Sequence, residues 1–353
     1  MEEARSPCCA RWHRCIRGEE GQLVLNAPVL FCTDTAWGRY GDELLGLAPG
    51  LEVVTLNGDE LVSDDDLARM TVAFFSGDAW PQRAPRFIGA CLQAPNLQWL
   101  HTFSAGVDSP VFAKFVRRGV RLTNSSGSSA RPIAQTVVMM ILGLSRDASA
   151  WMRAQQEHRW APHVGDEVDG TNLAVIGMGP IGEETARLGI ALGMNVIGCR
   201  RTVMGNEPCE TRTWESLEHL LGWADYVVLA LPLTNDTRGL ISAARLALMK
   251  RTARFINVGR GDLVDEPALI DALANGRLGG AGLDVFATEP LGEDSALWDM
   301  PNVIITPHNS GSTALANHRG ALIFIDNVAR LVNNQPLLNE VTIDDVGAGT
   351  IAR

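Results

Sequence analysis

The glycines at 177, 179 and 182 are the first place in this chain where residue type and spacing together point to a chemistry. Leu173 to Ile176 is a short apolar run leading into Gly177-Met178-Gly179-Pro180-Ile181-Gly182, and the helix-forming stretch EETARLGIAL follows. In such a strand, turn and helix the first glycine permits the tight bend and the second lets the backbone approach a pyrophosphate. The third lets the helix pack close on the strand. The pyrophosphate rests on the N–H groups and positive dipole of the helix start, and Pro180 is tolerated because a first-turn N–H has no partner inside the helix. A bare glycine turn without ligand is the plain alternative, and the flanking strand and helix favour dinucleotide binding. The next apolar run, NVIGC, ends in Arg200-Arg201-Thr202. That is about 20 residues beyond the glycines, where an NAD site would carry a carboxylate for the ribose hydroxyls. Two guanidiniums there suit a 2′-phosphate, which arginine binds through bidentate, charge-assisted hydrogen bonds. NADP (NADPH) is therefore the expected cofactor and NAD the second choice, against the alternative of two solvated arginines in a loop.

The elements that must position these groups follow a regular rhythm. From Pro28 the strand-like runs PVLFC, LEVVTL, VAFFSG, LQWLHTFS and VRLTN alternate with helical patterns near Asp42 to Ala48, Asp64 to Met70, Arg83 to Ala94 and Pro110 to Arg118. A long apolar stretch, Pro132 to His158, predicts one connecting helix. The rhythm restarts with NLAVIGMG, NVIGCR, YVVLALP, ARFINVG, GAGLDVF and NVIITPH, and a last helix is expected over Thr313 to Asn333. Strands alternating with helices imply right-handed βαβ units around parallel sheets. The fold class is thus α/β: two doubly wound parallel-sheet domains, a Rossmann-type cofactor domain of residues 128–313 inserted in a flavodoxin-like substrate domain of residues 26–127 plus 314–341. Residues 1–25 read as a polar leader.

Composition narrows the function classes. Thirty Lys+Arg against 41 Asp+Glu give a formal charge of -11, which disfavours nucleic acid or an anionic membrane as partner. An anionic substrate must then meet local cationic groups. The seven cysteines form no C-x-x-C pair, so no disulfide framework is expected, and a reducing cytoplasmic setting fits. Cys8, Cys9, His13 and Cys15 cluster in the leader, but their spacing matches no standard zinc pattern and no metal is expected. No uncharged run reaches the roughly 18 residues of a membrane-spanning helix.

Three further segments are INVGRGDLVDEPALIDAL (256–273), GGAGLDVFATEPL (279–291) and LWDMPNVIITPHNSG (297–311). With the glycine motif they resemble the D-isomer-specific 2-hydroxyacid dehydrogenase family, over about Pro28 to Val341 and most specifically in the cofactor half. The resemblance implies that Arg260, Glu289 and His308 form the catalytic site. It also implies that Ala105 and Gly106, in Ser104-Ala105-Gly106-Val107-Asp108, meet the substrate carboxylate through backbone N–H groups. Asp284 would receive the nicotinamide carboxamide, with a buried structural aspartate as the alternative, and Leu231 and Pro232 would form an apolar wall beside the cofactor. In this family relatives pair through the cofactor domain, so a homodimer is expected.

The chemistry explains the three catalytic types. Hydride addition to a keto carbon leaves a growing alkoxide, so a proton donor must be poised nearby, and imidazolium titrates closest to neutral pH. A carboxylate on the far ring nitrogen, here Glu289, fixes the tautomer and raises the histidine pKa. Arg260 holds the substrate carboxylate or keto oxygen in a planar fork.

Some positions depart from the family pattern. Gln135 replaces a frequent glutamate and Pro180 a frequent arginine, while glutamate at 289 speaks against a formate dehydrogenase. The expected function is NADP(H)-dependent reduction of 2-keto acids, of glyoxylate or hydroxypyruvate type, to D-2-hydroxy acids. A nucleotide-sensing corepressor related to the C-terminal-binding proteins, or a phosphite dehydrogenase, are the alternatives. Phe75, Ser76, Gly77 and Trp80 are candidates for a wall near the substrate R-group or for core.

Overall fold

The computed structural model describes residues 28–346 except position 59. The leader with Cys8, Cys9, His13 and Cys15 lies outside the described residues. The chain divides into two compact units, one running to Ser128 and resuming at Ala314, the other Ser129–Thr313. The first contains β1 (Val29–Thr33), β2 (Glu52–Leu56), β3 (Val72–Phe75), β4 (Trp99–Thr102) and β5 (Arg121–Asn124). The second contains β6 (Asn172–Ile176), β7 (Asn195–Cys199), β8 (Glu210–Arg212), β9 (Tyr226–Leu229), β10 (Arg254–Asn257), β11 (Gly280–Leu283) and β12 (Val303–Ile305). A short β13 (Glu340–Val341) returns to the first unit.

Both sheets are parallel apart from one edge, where β13 pairs antiparallel to β5 with Val341 opposite Leu122. The first sheet runs β13-β5-β4-β3-β1-β2, the flavodoxin type of order with an added edge. The second runs β12-β11-β10-β9-β6-β7-β8, which is the Rossmann order extended by one strand. Its direction of winding reverses between β6 and β9, and doubly wound sheets bind ligands at the carboxyl ends of the strands flanking such a reversal. Gly177 follows β6 directly.

The central strands read as continuous apolar runs because helices cover both faces. β1, β3, β4 and β9 are buried along their full length. Phe31, Trp99 and Phe324 are fully buried in the first unit, Tyr226 and Phe255 in the second. Burying a side chain of that size contributes ~1.5–3 kcal/mol.

Several expectations need correction. The connecting stretch is two helices, Ala130–Ser145 and Ala148–Gln156, not one. Asp147 breaks it by adopting a left-handed φ of 48° and capping the second helix through Ala150 N–H. Aspartate tolerates that region better than most residues. The first helix spans Asp34–Leu47, starting well before Asp42, because Thr33 caps it by accepting from Ala36 N–H at 3.0 Å. The strand β8 was not legible, since Glu-Thr-Arg carries no apolar pattern and pairs only at the sheet edge.

Candidate active site

β10, β11 and β12 are neighbours, so the segments leaving their carboxyl ends lie side by side, and each delivers one residue of the expected triad. After β10 the buried Asn257 shapes the turn. Its Oδ1 accepts from Gly259 N–H at 3.0 Å and its Nδ2 donates to the Arg260 carbonyl at 2.9 Å. The Arg260 guanidinium donates back to the Gly259 carbonyl at 2.8 Å. Gly261 is required by close approach: a Cβ there would stand 1.9 Å from the Phe286 carbonyl carbon. The arginine segment is thereby laid against the segment leading to Glu289.

That second segment is held by its own side chains. Glu289 Oε1 accepts from Phe286 N–H at 3.0 Å, and Glu266 accepts from Ala287 N–H at 2.8 Å. The third segment carries His308, whose N–H donates to the Asp284 carbonyl at 2.8 Å and whose φ is 49°. Asp284 is 2% exposed and accepts from Thr306 Oγ1 at 2.6 Å, from the amides of Asn309 and Ser310 at 3.1 Å each, and from the Ser310 hydroxyl. Engaged by so many protein donors, its carboxylate braces the turn that presents the histidine.

His308 Nδ1 donates to Glu289 Oε2 at 2.6 Å. This bond is the largest influence on the imidazole and raises its pKa above the ordinary histidine value, helped by the Glu289 charge and opposed by burial and by Arg260. Burial pushes the Glu289 carboxyl up. The bond to His308, the Phe286 amide and the charges of His308 and Arg260 outweigh it and bring the carboxyl below its usual range. With Nδ1 committed to the carboxylate, Nε2 is the ring atom able to exchange a proton with a bound molecule.

The glycine turn fits a dinucleotide. Gly177 has φ 108°, and a Cβ there would lie 2.5 Å from the Ala230 carbonyl; one at Gly182 would lie 1.8 Å from the Gly177 carbonyl. These two glycines close the turn onto the strand and onto β9's end, beside Leu231 and the start of the helix Pro180–Ala191. A Cβ at Gly179 would meet nothing within 4 Å, so the face of the helix start that a pyrophosphate needs is clear. Ile181 packs against the core beneath. Past β7, Arg200 is paired with Glu207 at 3.1 Å and Arg201 with Asp236 at 3.2 Å, while Thr202 is exposed in the same loop. Pro232 accepts at its carbonyl from the Thr237 hydroxyl at 2.8 Å, which holds the 231–237 loop.

Ala105 and Gly106 belong to the first unit, in the loop after β4. Asn124 Nδ2 donates to the Ala105 carbonyl at 2.9 Å and Ser104 Oγ to the Gly106 carbonyl at 2.8 Å. In the same unit Phe75 is core, Ser76 is buried beside Thr33, and Trp80 is exposed next to Phe103. Sequence reasoning missed Asn257, although its place two residues before the glycine of an Arg-bearing turn is a signal. It also missed Glu207, for which spacing offered none.

A profile described as "D-isomer specific 2-hydroxyacid dehydrogenase, NAD binding domain" matches residues 138–310. Glyoxylate/hydroxypyruvate reductase B of Klebsiella pneumoniae subsp. pneumoniae is 35% identical over 246 residues, covering 68% of this chain and 76% of that one. Among solved structures, the NADPH-dependent glyoxylate/hydroxypyruvate reductase of Sinorhizobium meliloti, in complex with NADP and sulfate, superposes with a TM-score of 0.73 at 31% identity, covering 92% of this chain and 100% of that one. A D-isomer specific 2-hydroxyacid dehydrogenase from Xanthobacter autotrophicus Py2, in complex with NADPH and MES, gives 0.72 at 31%, covering 90% and 99%. Sequence likeness over both units and the matching fold lead to one conclusion: this chain belongs to the D-isomer-specific 2-hydroxyacid dehydrogenase family.

Proposed function

We propose that this chain is an NADP(H)-dependent reductase that converts 2-keto acids of the glyoxylate or hydroxypyruvate type to D-2-hydroxy acids. The observation that carries the reading is the hydrogen bond from His308 to Glu289, a carboxylate that raises the pKa of a histidine next to an arginine. The names and ligands of the Klebsiella and Sinorhizobium relatives support the substrate and the cofactor.

Gly177, Gly179 and Gly182 with the helix start would hold the pyrophosphate, Leu231 and Pro232 would flank the nicotinamide half, and Arg200, Arg201 and Thr202 would receive the 2′-phosphate. The bound dinucleotide supplies the hydride. Arg260 orients the substrate by its carboxylate or keto oxygen and offsets the charge that grows there. His308 gives the proton from Nε2 to the keto oxygen as the hydride adds to the keto carbon, and Glu289 stabilises the imidazolium until it is spent. Asp284 acts at one remove, as a positioning residue for the histidine turn.

The loop after β4 suits a carboxylate. In a trans peptide the C=O and the following N–H point opposite ways. With the carbonyls of Ala105 and Gly106 taken by Asn124 and Ser104, the N–H groups of Gly106 and Val107 are directed away from those partners and suit an anion.

The protein is proposed to act as a homodimer formed through the second unit. Met139, Leu142, Trp151, Met152, Trp160 and Val164 expose large apolar surface on consecutive segments, Trp160 at 95% and Val164 at 100%. Patches of this kind mark protein contacts on soluble proteins. Among the described residues no helix is long and apolar enough to cross a membrane.

The test is a panel of 2-keto acids, from glyoxylate and hydroxypyruvate to branched and aryl acids, assayed with NADPH and with NADH. Turnover of the small acids with NADPH is expected, and the absence of turnover on every acid would overturn the reading.

A further inference from the structure

The end of β7 holds an ion pair that the expected cofactor chemistry does not require. Arg200 Nη1 lies 3.1 Å from Glu207 Oε1. The same carboxylate accepts from Met204 N–H at 2.7 Å and from Gly205 N–H at 2.8 Å, and its side chain is only 3% exposed. Arg201 contrasts with it. Its partner Asp236 stands at 3.2 Å, but the two side chains are 70% and 80% exposed, the kind of surface pair that solvent and salt leave nearly without effect.

We propose that Glu207 is the positioning residue for recognition of the 2′-phosphate: it fixes the Arg200 guanidinium in advance, and thereby sets the preference for NADP(H) over NAD(H). The inference rests on the NADP(H) reading above. A guanidinium is a rigid planar fork of five N–H donors, so holding one donor restricts the plane in which the others are offered. An arginine without such an anchor surrenders its side-chain freedom when it closes on an anion, and preorganisation removes that cost. Glu207 can serve as an anchor because it is fixed to the loop backbone. The Met204 amide above all, then its own amide, that of Gly205 and the Arg200 guanidinium hold its carboxyl at about 2 against burial. It therefore stays ionised across the physiological range.

An acidic residue next to a phosphate site could instead repel the phosphate, and the two effects have opposite signs. The deciding measurement is calorimetric titration of the full chain with adenosine 2′,5′-bisphosphate and with adenosine 5′-phosphate, which differ by one phosphate group. In the wild type the bisphosphate should bind more tightly. In Glu207→Ala the ratio of the two affinities should fall by about threefold to a hundredfold, with 5′-phosphate binding unchanged. Glu207→Gln, which keeps an acceptor of the same reach but no charge, should fall between. Adding Glu207→Ala to Arg200→Ala should leave the ratio of the single arginine variant unaltered, because the glutamate acts through the arginine.

Equal weakening of both ligands in Glu207→Ala and Glu207→Gln would reduce Glu207 to a loop support and overturn the proposal. A ratio that rises would show repulsion and overturn it as well. A wild-type ratio near one would sink the NADP(H) reading itself, and the role of Glu207 with it. A fall in ratio that persists in the Arg200→Ala background would assign the effect to some group other than Arg200.

Discussion

His308 and Glu289 are joined by a 2.6 Å hydrogen bond between Nδ1 and Oε2, although nineteen positions separate them along the chain. The bond exists because β11 and β12 run parallel and adjacent, with Leu283 opposite Ile305, so that segments leaving the same edge meet. Its consequence is protonic: the carboxylate raises the histidine pKa, and Arg260 works against it.

Glu289→Gln removes that charge while keeping the size. The histidine pKa should then fall. Reduction consumes a proton from imidazolium, so activity is lost as pH rises through this pKa, and the alkaline limb of kcat against pH should move to lower pH. The Arg260 charge, which also lowers the pKa, is common to both proteins, so the shift reports the loss of the Glu289 carboxylate. An alkaline limb in the variant at the wild-type position or above would contradict the pairing.

His308→Ala deletes the proton donor. The kcat for keto-acid reduction should drop by roughly 10² to 10⁴, with NADPH binding retained when followed by nicotinamide fluorescence. Arg260→Ala should harm KM and kcat together, since orientation and charge stabilisation are lost at once. Near wild-type kcat in His308→Ala on any good substrate would be fatal to the mechanism.

Two glycine-to-alanine changes should fail in different ways. At Gly261 the new Cβ would press on the Phe286 backbone, which no rotamer change can relieve, and a loss of upwards of about 3 kcal/mol is expected in urea unfolding. At Gly179 the Cβ enters open space, so Tm should hold within a degree or two while NADPH affinity falls. A Gly179→Ala variant that binds NADPH like the wild type would place the pyrophosphate elsewhere.

Arg200→Asp should narrow or invert the preference between NADPH and NADH. Loss of one charge-assisted contact costs about 1.5–3 kcal/mol, roughly 10- to 150-fold in affinity. Steady-state kcat/KM for both cofactors is the readout. Equal use of NADH and NADPH by the wild type would remove the basis of the argument.

Light scattering at micromolar concentration should give twice the 38.1 kDa of one chain. Trp160→Glu, which charges the most exposed of the apolar aromatic side chains in the second unit, should shift the population toward monomer without lowering Tm of the separate units. A clean monomer in the wild type would refute the dimer.

What the sequence by itself determined was whatever is encoded locally. The run from Leu173 to Gly182 reads as strand, turn and helix because each step is a matter of neighbouring residues: apolar continuity for β6, glycines where a Cβ would strike backbone, proline at a first helical position. The alternation of apolar runs and helical patterns likewise determined the α/β class, since parallel strands buried on both faces have no other solution. The tertiary structure alone decided what depends on long-range adjacency. No spacing rule brings Asp284 onto the turn of His308, which strand order carries there; Glu207, seven positions from Arg200, meets it only through the closure of the loop after β7. The polar β8 and the two-residue β13 are defined by pairing with a neighbouring strand. The break at Asp147 could not be read from hydrophobic period, because both sides are helical and the interruption is one residue that adopts a left-handed backbone. Local sequence sets which conformations are cheap, and the sheet decides which distant groups are brought within hydrogen-bonding reach.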